Sequence, residues 1–197
     1  VMQGNAYQIT TDYDPTVENS DLFLRSTAQN QRMDVTGGKI GGLLAARDTD
    51  ITAAMDKLDE FAVTLINQVN LVHSQGQGLV DVTSVVSASA VQDVNTALSA
   101  QSLPLTPTNG TFTLSLTDAA GVRSDYTVAV DLDGLGGDMS LSDLAAAIDG
   151  LDNVSAATRA DGRLVIDADS GYTLSFSNDT SGVLAALGIN TFFTGTN

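Results

Sequence analysis

The chain has 197 residues, enough for one or two domains with real cores. Its 24 acidic residues against 8 basic ones leave a net charge of −16. Arg25, Arg32, Lys39, Arg47, Lys57, Arg123, Arg159 and Arg163 are scattered and form no basic patch, so the composition argues against nucleic acid as a partner. There is no cysteine, which excludes disulfides and thiolate chemistry, and no apolar run reaches the roughly 18 residues of a membrane span or forms a signal peptide.

The opening reads as β. "NAYQITTDYD" alternates around Tyr7 and Ile9, and "DLFLRSTAQNQRMDV" offers a second extended run, with Pro15 and Asn19 between them. Residues 1–44 are thus expected as a β-rich segment leading into a glycine-rich corner at "TGGKIGGLL". Lys39 there precedes Gly41 and is followed by Ile40, so neither a phosphate-binding loop nor a dinucleotide fingerprint fits.

A long helix is expected from near Asp48. Ile51, Met55, Leu58, Ala62, Leu65, Val69 and Val72 follow one another by alternating steps of four and three, an a/d seam over three heptads. Phe61 and Ile66 widen the stripe. Such a seam packs either on the chain's own small domain or on helices outside it. His73 falls in the last turn, beside the negative end of the helix dipole, and Gly76 and Gly78 supply stops. With the linker that follows, residues 45–108 are expected to belong to a helical rod domain. Within residues 80–109, Val91, Val94 and Leu98 suggest a short helix ended by Pro104 and Pro107.

From Gly110 the pattern sharpens into a sheet domain over residues 109–197. "TFTLSLT" and "DYTVAVD" alternate as strands around a turn at Asp118 to Gly121. Ser140 with Asp143 resembles a capping box, ahead of an apolar face of Leu141, Leu144, Ala145 and Ile148. "VSAATR", "RLVIDA" and "YTLSFS" are three short strands, and a closing helix stops at Gly188. The order is ββαβββα. The fold class is therefore α+β: a long heptad-patterned helix plus an antiparallel β-rich part with a short helix packed on the sheet.

Little here carries chemistry. "DLDGLGGD" places Asp131 and Asp133 at the first two ligand positions of a calcium loop, but Leu135 and Ser142 occupy two others that need oxygen donors. A plain Asp/Gly turn is the favoured reading. His73 is the only histidine and reads as a helix-end residue with a local hydrogen bond. No catalytic residue, metal ligand or cofactor site is assigned, and an enzymatic role is not expected.

"GGKIGGLLAARD", the heptad helix and "NQVNLVHSQGQGL" together resemble the hook-associated protein 1 family of the bacterial flagellum. The residues that carry the resemblance are Gly37, Gly38, Gly41, Gly42, Leu43, Leu44, Arg47, Asp48, Asn70, His73 and Gly76, and "FSNDTSGVLAALGINTFFTG" resembles a late signature of the same family. The sheet domain is similar to modules found across axial flagellar proteins. The resemblance implies a structural subunit that joins hook to filament, secreted by type III export to the outside of the cell. Its partners would be copies of itself, neighbouring hook and junction proteins and, for the full-length protein, an export chaperone, with no nucleic acid and no membrane. The family's terminal assembly helices look absent, so the chain reads as a fragment and is expected to be monomeric. On this reading the glycines turn the chain sharply into the rod, Leu43 and Leu44 anchor the corner, and Arg47 and Asp48 either bridge helices or subunits or belong to an ordinary glycine-rich turn with a local cap at Asp48. Two alternatives remain open. One is another axial flagellar protein: the second junction protein, a cap or a flagellin. The other is a surface adhesion or calcium-binding β module.

Overall fold

The computed structural model of the chain describes residues 8–14, 21–78 and 80–193, so Tyr7, Pro15 and Asn19 lie outside the described residues. Two compact units are present, Val1–Glu60 and Phe61–Asn197. The fold is α+β, with one long helix and antiparallel sheets of three strands each.

In the first unit β1 (Ile9–Asp14), β2 (Asp21–Ser26) and β3 (Gln31–Met33) form an antiparallel sheet in chain order, with Ile9 opposite Ser26 and Leu24 opposite Met33. The second extended run is therefore two strands. Asn30, at φ 54°, takes the left-handed position that reverses the chain, and its side-chain oxygen accepts from Arg25 at 2.6 Å.

The helix starts earlier than its seam suggests. α1 (Gly38–Ala45) runs through a π-helical stretch, Ala46–Ile51, into α2 (Thr52–Gln75). The expected glycine corner is thus largely helix. Gly37 is its N-cap, Gly38 sits at φ 67°, and Gly41 and Gly42 lie inside α1. Gly41 is buried where a Cβ would stand 2.8 Å from the Thr36 carbonyl carbon, so close backbone approach, and not flexibility, is what requires glycine there. Leu43 is exposed and Leu44 only half-buried, so this pair is not the buried anchor expected of it.

The second unit holds two antiparallel sheets. One has the order β6 (Arg123–Val130), β5 (Gly110–Asp118), β9 (Tyr172–Ser177). The other has the order β4 (Ser84–Val86), β8 (Leu164–Ala168), β7 (Val154–Thr158). The ββαβββα order stands, but its strands divide between two sheets and recruit β4. α3 (Leu141–Asp149) packs on β7 and β8 through Leu141, Leu144, Ala145 and Ile148, all buried. Its start is a complete capping box: Ser140 Oγ accepts from the Asp143 amide at 3.2 Å, and the Asp143 carboxylate accepts from the Ser140 amide at 3.0 Å. Phe112, Leu114, Leu116, Ile166, Leu174 and α4 (Val183–Leu187) complete the core.

Residues 80–109 do not form the expected linker with a short helix. Val85 pairs with Ile166 as part of β4, and Leu98 enters a three-residue 3-10 turn while donating its amide to the Met139 carbonyl at 2.9 Å. Val91 and Leu98 are buried and Val94 packs against the core, so their spacing reflects inward-facing side chains of an irregular segment. Non-local pairing has overridden a weak helical period.

Candidate assembly site

The seam of α2 lies open. In the first unit Ile51, Met55 and Leu58 are exposed, Leu58 by 65%. In the second unit Ala62, Leu65 and Val72 are exposed, Val72 by 69%, and Val69 is half-buried. Fully burying a large apolar side chain is worth about 1.5–3 kcal/mol, so each of these exposed large side chains leaves stabilisation of that order unrealised.

The other face of the helix end docks within the second unit. Asn67 donates to the Pro104 carbonyl at 3.0 Å, and the Ser74 and Gln75 carbonyls accept from the Asp179 and Asn178 amides at 3.4 and 3.0 Å. These bonds satisfy carbonyls that a helix terminus leaves without partners. The loop that supplies them is itself held by the fully buried Asp179, whose carboxylate accepts from the amides of Ser181, Gly182 and Leu184 at 2.8–3.1 Å.

Asn70, His73 and Gly76 are brought together with the chain's last described residues. Asn70, 8% exposed, accepts through Oδ1 from the Phe192 and Phe193 amides at 3.1 and 2.9 Å and donates from Nδ2 to the Phe193 carbonyl at 3.1 Å. The His73 ring lies 5.8 Å from that of Phe192, and its backbone carbonyl accepts from the Gly76 amide at 3.0 Å. The Gly76 carbonyl in turn accepts from Asn190 Nδ2 at 2.9 Å. Asn70 and His73 share one stripe of α2 and Gly76 follows just beyond its end, so one short segment, residues 190–193, engages all three.

Arg47 and Asp48 sit in the π-helical stretch of the first unit. The Arg47 guanidinium bonds the Asp48 carboxylate beside it and donates to the Leu22 carbonyl of β2 at 2.7 Å. The bond from Arg47 holds the Asp48 carboxyl below its ordinary range. Within this chain the arginine therefore ties helix to sheet.

Sequence reasoning missed Asn190, Gln77 and Arg123. Arg123 donates to Ser115 Oγ at 2.6 Å and also bonds Asp125 and Gln77, while Gln77 donates to Ser175 Oγ at 3.2 Å. This network staples the segment after α2 onto the β6-β5-β9 sheet. The Asp125 carboxyl is held low by its bonds with Ser115 and Arg123. Partners 46 residues apart leave no local signal in the sequence.

The acidic loop gathers carboxylate oxygens of Asp131, Asp133 and Asp138 within 4.8 Å of one another. Asp133 accepts from the Leu135 amide at 2.7 Å and Asp138 from the Gly134 amide at 2.9 Å. Both bonds belong to an Asp/Gly turn.

No curated protein is similar enough to the chain to be matched with it. Residues 1–85, which take in the first sheet, the whole helix and β4 up to Val85, match the family described as flagellar hook-associated protein FlgK helical domain. Over those residues, fewer than half of the 197, the chain is similar to a structural domain of the flagellar hook-associated class.

Proposed function

We propose that the chain is part of a structural subunit at the junction between flagellar hook and filament. It acts by packing, and it makes and breaks no covalent bond. The observation that carries this reading is the exposed heptad seam that starts at Ile51, the last residue of the π-helical stretch, and runs through α2 to Val72, within the residues that match the hook-associated family. A stripe of this length in water is an interaction surface awaiting helices. Those helices belong to the parent protein or to its neighbours in the axial structure, with the β-rich second unit free to face solvent. A cysteine-free chain suits unfolded passage through an export channel to the cell exterior, aided by a chaperone for the full-length protein. The charge of −16 favours a monomer for the isolated chain, because like-charged copies repel. The "NLVHSQG" helix end and the Phe192–Phe193 pair favour the first junction protein over the second, a cap or a flagellin.

The test is electron microscopy of cells deleted for the parent gene, with the culture medium assayed for free flagellin. Bare hooks and shed flagellin are expected. Normal filaments would overturn the junction role and turn the reading toward a surface adhesion module.

A further inference from the structure

Residues 190–193 cross α2 at Asn70, and their attachment is concentrated on one side chain. The Asn70 amide makes three hydrogen bonds to the backbone of two successive residues, Phe192 and Phe193. The two phenyl rings meet edge to face at 4.9 Å and take different neighbours. Phe192 lies on a patch with Val69, Val72 and His73. Phe193 lines a groove of about 540 Å3 with Val63, Ile66 and Ala185. Residues 191–193 belong to no helix or strand, and Phe192 and Phe193 remain 64% and 42% exposed. Asn190 anchors the near end, donating to the Gly76 and Phe176 carbonyls.

We infer that residues 191–193 are a strap that opens and closes across α2, with Asn70 as its latch, and that opening widens the groove Phe193 now lines. A segment with little buried area and no ladder of backbone bonds sits at the low end of local stability. Asparagine suits the latch because it accepts from two amides and donates to one carbonyl at once. Aspartate supplies the acceptors without the donor, and alanine supplies neither. Phe192 lies on Val69 and Val72 of the seam, but the test alters neither, so its failure is distinguishable from failure of the seam reading.

The experiment is amide hydrogen exchange on the whole chain by nuclear magnetic resonance, with binding of the dye anilinonaphthalene sulfonate as a second readout. In Asn70→Ala the Phe192 and Phe193 amides are expected to exchange about tenfold faster or more, while Leu114 and Leu116 of β5 keep their protection and dye fluorescence rises. Asn70→Asp is expected to retain protection at both amides. Equal exchange in the wild type and Asn70→Ala would overturn the latch. So would loss of protection extending to Leu114 and Leu116, which would make Asn70 a support of the whole unit, or Asn70→Asp behaving as Asn70→Ala. Unchanged dye fluorescence on selective opening would overturn the link to the groove.

Discussion

Neighbouring glycines in α1 carry opposite consequences. A Cβ on Gly41 would meet the backbone of Thr36 and Val35 at 2.8–3.0 Å, whereas one on Gly42 meets nothing within 4 Å. Gly41→Ala is expected to destabilise the first unit, and Gly42→Ala to stabilise the helix by about 0.5–1 kcal/mol, as thermal melts of the two variants would show. The capping box offers a test in pH. Hydrogen bonds from the Ser140 hydroxyl and amide hold the Asp143 carboxyl below its ordinary value of 3.8. A depressed carboxyl contributes stability that is present above the unfolded value and lost as pH falls through the folded one. The stability gap between wild type and Asp143→Ala is therefore expected to be full at neutral pH and to close below pH 3.8, and Ser140→Ala to cost about 1 kcal/mol at pH 7. Denaturant titrations across that range check both. A gap that widened toward acid would contradict the assignment.

At the scale of elements, the strands and helices with a clear period were legible. α3 was visible from Ser140, Asp143 and its four apolar positions, because the capping box and the buried stripe are both local features. The helix that carries the seam, α2, was legible because its apolar period is also local. Its start was not: α1 opens on glycines that the propensity scale disfavours, of which Gly41 is required by its close approach to Thr36 and Gly38 by its φ of 67°. β4 and the division into two sheets were hidden, because Val85 meets Ile166 and Val154 meets Ala168 through pairings that depend on the rest of the fold. Of the candidate site, the Asn70, His73 and Gly76 stripe could be picked out, but its engagement with Asn190, Phe192 and Phe193 joins residues more than a hundred positions apart. Exposure sets a further expectation. Leu58→Asp alters an exposed side chain and should change the stability of this chain by no more than about 0.5 kcal/mol, whereas Leu174→Ala in the core should cost about 2–5 kcal/mol. Calorimetry on the two variants measures the contrast.

At the scale of the whole molecule, the chain combines a folded, acidic β-rich unit with a helix stripe whose large apolar side chains are mostly exposed. Buried side chains such as Leu114, Leu164, Ile166 and Leu174 hold the second unit together, while the seam contributes nothing to that unit's core. If the seam is the assembly surface proposed above, folding and assembly are separable: exposed seam residues such as Leu58 and Leu65 are expected to be dispensable for the first and needed for the second. The direct test places Leu58→Asp with Leu65→Asp in the parent gene of flagellated cells and images the hooks by electron microscopy, with the melting temperature of the isolated variant chain measured alongside. Bare hooks and flagellin in the medium, with an unchanged melting temperature, are predicted. Intact filaments carrying both substitutions would contradict the claim that the seam of α2 is the assembly surface.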